Sequence, residues 1–101
     1  MTESGDDNEK YEFEWDSKKA QKNQKKHGVT FEEASTIFYD PDFIGFLDEE
    51  HSEDEERQIT IGMSNKTRLL MAAHTERKRL IRIISARKAT KNEEKFYNEA
   101  E

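Results

Sequence analysis

The sequence predicts an α+β domain, an antiparallel sheet of four to five strands packed with two N-terminal helices and one C-terminal helix. Three features predict it. Several short runs alternate apolar and polar residues, the period of a half-buried strand. The last three of these runs are separated by tight turns, which makes a meander. Two Thr-x-x-Glu boxes, at Thr30/Glu33 and Thr90/Glu93, mark helix starts.

Taken in order, residues 1–9 are polar, acidic and without period, and are expected to be a disordered acidic tail. Residues 10–101 form the single domain. Tyr11-Glu12-Phe13-Glu14-Trp15 alternates and puts three aromatics on one strand face. Asp16-Ser17 supplies an N-cap, and Lys18–His27 reads as a helix ending at Gly28. Ala20 is the only apolar residue of that helix, so no broad buried stripe holds it. Its lysines either face water or face a ligand or partner. A second helix opens with the box at Thr30 and Glu33, buries Phe31, Ala34, Ile37 and Phe38, and stops near Asp40-Pro41. Phe43–Leu47 is a short strand, and Asp48–Glu56 is an acidic loop around His51. Arg57–Met63, Thr67–Glu76 and Arg79–Ala86 are the three strands of the meander, with turns at Ser64-Asn65-Lys66 and Arg77-Lys78. The box at Thr90 and Glu93 opens the last helix, which docks through Phe96, Tyr97 and Ala100.

Apolar residues are scarce, at 32%, against 40% charged, but ten aromatic residues and the clustered Ile and Leu support a thin core. The net charge of −6 hides a segregation. Residues 40–56 carry nine acids and no base, whereas residues 57–91 carry ten bases and one acid. Phosphates respond to such a local basic surface rather than to the whole-chain charge, because screening limits their reach to about 10 Å.

Several chemistries lack support. There is no cysteine, which excludes disulfides and thiolate metal sites. His27, His51 and His74 lie far apart and form no helical ligand pair, so no metal site and no cofactor is expected. Glycine-rich phosphate loops and nucleophile elbows are absent. No apolar run is long enough for a membrane span or a secretion signal, and a cytoplasmic protein is expected. No helix has both a basic face and an apolar docking face, which argues against direct reading of DNA.

Phosphodiester cleavage remains. It needs a base for the 2′-hydroxyl, an acid for the departing 5′-oxygen and fixed cations for the developing charge. Arg77, Lys78, Arg79, Arg82, Arg87, Lys88 and Lys91 fall within fifteen residues. His74 and Glu76 share a strand face by parity. His74 is either a structural histidine or a proton-transfer group. The register decides its company. A two-residue turn at Arg77-Lys78 sets Arg82 across from Ala73, while a three-residue turn sets it opposite His74. Arg87 and Lys88 emerge where the strand ends and a helix begins, a geometry suited to phosphate.

These residues carry a family resemblance. Phe13-Glu14-Trp15-Asp16, Lys19, Asn23, Lys26-His27-Gly28-Val29 and Phe31-Glu32-Glu33-Ala34 resemble the N-terminal signature of the BrnT family of toxins. Asp40-Pro41, Glu55-Glu56-Arg57 and Gly62 continue it. His74-Thr75-Glu76-Arg77 and Arg82-Ile83-Ile84-Ser85-Ala86-Arg87-Lys88-Ala89-Thr90, with Glu93 and Tyr97, resemble its C-terminal signature. The resemblance implies a fold similar to RelE toxins and a metal-independent endoribonuclease that cleaves mRNA and arrests translation and growth. It implies a type II toxin–antitoxin module. The partner would be a BrnA-like ribbon-helix-helix antitoxin, two toxins with two antitoxins, and operator DNA would be met only through the antitoxin. On that basis His74, Glu76, Arg77, Arg82 and Arg87 are the expected catalytic residues. His74 would transfer the proton, Glu76 would orient it or act as base, and the arginines would hold phosphate. Lys26, His27, Lys78, Lys88 and Lys91 are the expected RNA-binding residues. The alternative is a non-catalytic module whose basic sheet docks an antitoxin-like segment and takes part in promoter autoregulation. The acidic block Asp48–Glu56, folded over the basic sheet, would screen the RNA site.

Overall fold

The computed structural model of the chain describes residues 10–52 and 55–100, so the expected acidic tail, residues 1–9, lies outside the described residues. Among the described residues five strands form one sheet. They are β1 (Glu12–Glu14), β2 (Ile44–Leu47), β3 (Gln58–Met63), β4 (Leu69–Arg77) and β5 (Leu80–Lys88). Their spatial order is β1-β5-β4-β3-β2. The three helices are α1 (Ser17–His27), α2 (Phe31–Ser35) and α3 (Lys91–Glu99), and a 3₁₀ turn, Thr36–Tyr39, continues α2. The sheet is mixed rather than purely antiparallel. β1 runs parallel to β5, with Phe13 beside Ile81, and the other three pairings are antiparallel. The helix α1 between them in sequence allows the parallel return.

Capping decides the helix ends. Asp16 accepts from the N–H groups of Lys18 and Lys19, and Gly28 closes α1 in the left-handed conformation, φ 70°. The Thr90/Glu93 box forms in full at the start of α3. The Thr30/Glu33 box forms only half. Thr30 caps the Glu33 N–H, but the Glu33 carboxylate turns away to Arg68 and Ser64. A guanidinium 35 residues away offers a charged partner, which outweighs one backbone N–H.

Helix α1 is fastened by one side chain. Buried Asn23 donates through Nδ2 to the carbonyls of Val29 (3.0 Å) and Ala86 (2.8 Å), and its Oδ1 accepts from the Ala86 N–H (3.1 Å). An amide, not an apolar stripe, docks this polar helix onto β5.

The sheet has two unlike faces. One is covered by α1, α2 and the 3₁₀ turn. There Phe31, Ala34, Ile37 and Phe38 pack on Leu70, Ala72, Ile81, Ile83 and Ala86, joined by Tyr11, Phe13 and Trp15. The other is covered only in part by α3, whose Tyr97 packs with Ile61 and Met71. Asp40 ties these layers together. It accepts from Tyr97 Oη (2.6 Å) and the Met63 N–H (2.7 Å).

The β4–β5 register follows neither expected alternative. The two-residue turn is Lys78-Arg79, with Lys78 at φ 59°, and Arg77 pairs with Leu80. Arg82 therefore sits across from Thr75. The register then shifts, because Ala73 pairs with Ser85 while His74 pairs with Ile83, leaving Ile84 as an extra residue. Thr67, expected in a strand, has φ 61° and belongs to the preceding turn.

Replacing Asn23 with Ala removes three buried hydrogen bonds and strands the Ala86 backbone groups. We expect a loss of about 2–4 kcal/mol in chemical denaturation.

Candidate active site

The uncovered part of the sheet carries the charge. On β5 the outward residues are Arg82 and Ile84, and on β4 they are Thr75 and Arg77. A cavity of about 270 Å³ is lined by Lys19, His51, Glu55, Arg57, Thr75, Arg82 and Ile84. A second, of about 290 Å³, shares Glu55, Thr75 and Arg82 with it and adds Glu14, Arg77 and Leu80. Together they make a trough with four cations, two carboxylates and one imidazole.

Each cation comes from a different element. Lys19 lies in the first turn of α1, beside the end of β1. Arg57 leads into β3, and Arg82 and Arg77 come from paired strands. Glu14, on β1 opposite Arg82, holds its guanidinium at 3.2 Å. Glu55 holds Arg77 at 3.1 Å. Both pairs are open to solvent, so each contributes little to stability.

His51 enters from a one-turn 3₁₀ segment, Glu49–His51, after β2. Its Nδ1–H donates to the Asp48 carboxylate at 3.0 Å. Hydrogen bonds beneath it tie Asp48, Ser52 and Arg57 together. Ser52 Oγ donates to the Asp48 carbonyl (2.6 Å) and accepts from the Arg57 N–H (2.8 Å), and the Asp48 N–H donates to the Arg57 carbonyl (2.8 Å). An imidazole oriented through Nδ1 presents Nε2 as a proton acceptor.

Of the five expected catalytic residues, Arg77 and Arg82 meet in the trough. The other three do not join them. His74 points into the helix-covered core, only 1% exposed. It shares a hydrogen bond with Thr60 Oγ1 at 2.8 Å and sits edge-on against Phe38 at 4.9 Å. Burial pushes its pKa down to about 4, so it is neutral. Glu76 is exposed and shares the His74 parity, away from Arg77 and Arg82. Arg87 forms a two-pronged ion pair with Glu93, at 2.8 and 2.9 Å, which locks the start of α3. That pairing raises the Arg87 pKa and lowers that of Glu93.

The five expected RNA-binding residues are spread out. Lys78 lies at the tip of the β4–β5 hairpin in an open, cationic recess with Lys10, Arg77 and Arg79. Lys26 and His27 end α1, far along the helix from Lys19. Lys88 and Lys91 are exposed around the start of α3. Sequence reasoning missed His51, Lys19, Arg57 and Glu55 as site residues. The Asp48-x-x-His51 spacing was the available signal for the first. Glu55, from the acidic block, reaches Arg77 across the trough. Among the described residues no group of three or more His, Asp or Glu is placed to hold a metal ion, and no helix is long and apolar enough to cross a membrane.

The buried neutral His74 has a consequence for stability. Its pKa is lower in the folded chain than in the unfolded one, so the unfolded state takes up the proton first as pH falls. Stability should decline from about pH 6.5 to pH 4, by roughly 3 kcal/mol in all. A His74→Leu variant should lack this decline in denaturation curves taken above pH 5, where carboxylates contribute little.

Two comparisons with known proteins bear on the chain, and no curated protein sequence matches it. The crystal structure of the Brucella abortus ribonuclease toxin, BrnT, is similar with a TM-score of 0.61 at 21% identity, over 81% of this chain and 100% of that one. At that identity the likeness speaks for the fold. The family described as "Ribonuclease toxin, BrnT, of type II toxin-antitoxin system" matches residues 15–93. That span runs from Trp15 to Glu93, through every element from α1 to the start of α3, and the chain therefore belongs to the BrnT family of ribonuclease toxins.

Proposed function

We propose that this chain is the toxin of a type II toxin–antitoxin module and cleaves mRNA in the trough on the open sheet face, without a metal ion. The observation that carries this reading is one imidazole, oriented by a carboxylate, in a cavity shared with Lys19, Arg57 and Arg82. RNA runs along the trough toward the cationic hairpin tip at Lys78 and Arg79. Arg82 and Arg57 bind the scissile phosphate and offset the charge that builds on its oxygens. His51 Nε2 takes the proton of the 2′-hydroxyl. The 2′-oxygen bonds to phosphorus and the bond to the 5′-oxygen breaks. Lys19 gives the leaving oxygen its proton. The products are a 2′,3′-cyclic phosphate and a 5′-hydroxyl.

In this reading His74 has a structural role, and Arg87 supports α3 rather than phosphate. Lys26, Lys88 and Lys91 add to the positive field around the site, and neither they nor His27 touch the reacting phosphate. The cleavage arrests translation and growth in the cytoplasm until an antitoxin binds. A BrnA-like ribbon-helix-helix antitoxin, two copies with two toxins, would carry the complex to its own operator.

The test is cleavage of a short RNA by the purified chain in EDTA. His51→Ala should lower the rate by about 10²–10⁴-fold. Arg82→Ala should lower it by on the order of 10²–10³-fold. A chain that binds RNA yet leaves it intact would be a non-catalytic docking module instead, and a His51→Ala enzyme as fast as wild type would remove the imidazole from the mechanism.

Glu55 competes with phosphate for Arg77. Glu55→Gln should bind single-stranded RNA about three- to tenfold more tightly at low salt, an advantage that fades as salt rises. Fluorescence anisotropy across a salt series reads both.

A further inference from the structure

We propose that the outer edge of β2 is a docking site for a partner polypeptide that adds one extended strand, apolar in its middle and carrying Lys or Arg at both ends. β2 is the last strand of the sheet on its side and pairs only with β3. The Asp48 N–H donates to the Arg57 carbonyl. Antiparallel alternation then directs the backbone groups of Ile44 and Phe46 toward β3, and those of Gly45 and Leu47 away from it. No hydrogen bond from another described residue reaches that outer side.

The edge also lacks the usual protection. Ile44–Leu47 contains no lysine, no proline and no bulge. Its side chains are apolar and half in water. Phe46 is 44% exposed and Leu47 42%, on opposite faces of the strand. Phe46 leans edge-on against Phe96 of α3, itself 54% exposed, at 6.1 Å. An added strand would gain backbone hydrogen bonds from Gly45 and Leu47. Its alternate side chains would cover Phe46 with Phe96 on one face and Leu47 on the other.

The flanks select the occupant. Exposed Asp42 precedes the strand, and exposed Glu49 and Glu50 follow it closely. A second copy of this chain would set acid against acid in either strand direction. RNA would be repelled. A polypeptide with basic ends is favoured. Since a type II toxin is held by a protein partner, the antitoxin is the polypeptide to carry such a segment, and in that respect the inference rests on the reading above. The edge lies three strands from β5, so the trough stays uncovered. β2 nevertheless runs straight into Asp48–His51, so an added strand reaches the loop that carries His51.

The experiment is amide hydrogen exchange on the full chain, free and bound to its co-encoded antitoxin. Exchange at Gly45 and Leu47 should slow by about tenfold or more on binding. Phe46→Lys should weaken the complex by about tenfold or more, and Glu49→Lys with Glu50→Lys should weaken it and flatten its salt dependence. The idea is overturned by a complex that leaves those two amides unprotected, by Phe46→Lys binding as wild type, by self-association through β2, or by no binding at micromolar concentration. RNA cleavage by free Phe46→Lys should equal that of wild type, which separates this inference from the nuclease reading. Protection without any cleavage would leave the docking edge standing and remove the enzyme.

Discussion

The Asn23 side chain is the contact on which the site depends. Helix α1 carries five lysines and one alanine, and Ala20 is its one apolar contact with the core. Three hydrogen bonds from one amide join it to the α1–α2 loop at Val29 and to β5 at Ala86. Each is worth on the order of 1 kcal/mol, but their number and burial make the link directional. That link places the first turn of α1 at the trough, so Lys19 reaches the cavity that Arg82 lines from the sheet. A greasy stripe would bury α1 more strongly yet leave it free to slide. The amide fixes both depth and register.

The sheet divides its tasks by face. The helix-covered side takes the larger apolar cluster and the one histidine that burial keeps neutral, and a smaller cluster around Ile61, Met71 and Tyr97 lies on the other face. The open side holds its cations beside carboxylates in water. Buried charge is confined to places where it is fully met. Glu33 is the clearest case, with Arg68 and Ser64 holding its carboxyl below the usual range. Asp40 is similar. Burial pushes its carboxyl up, but hydrogen bonds from Tyr97, Met63 and Asp42 outweigh that and hold it down. These two carboxylates fasten loops and layers. Those in the trough, Glu14 and Glu55, remain exchangeable.

Local signals in the sequence were legible because their physics is local. Asp16 and Gly28 bound α1, and Thr90 with Glu93 opens α3, through contacts within a few residues. The alternation of Tyr11, Phe13 and Trp15 pointed three aromatics inward, where they pack. What failed depended on partners far away. Glu33 left its cap for Arg68. β1 is three residues long and carries no mark of its direction, so its parallel pairing with β5 was not readable. Parity placed His74 and Glu76 on one face correctly, but could not say that this face was the core. His51 was passed over because a histidine in an acidic loop looks solvated until the fold brings that loop to the sheet.

The extra residue Ile84 has a consequence for how the strand can vary. Strict alternation along β5 would send Arg82 and Arg87 to opposite faces, since five residues separate them. The shift at Ile84 brings both outward and still leaves Ile81, Ile83 and Ala86 in the core. One strand thereby serves two independent clients. Arg82 stands in the trough beside Glu14, while Arg87 is held by Glu93 and the last helix. Changes around Arg82 can reshape the trough without loosening α3, so one half of the strand is free to vary while the other half holds the architecture.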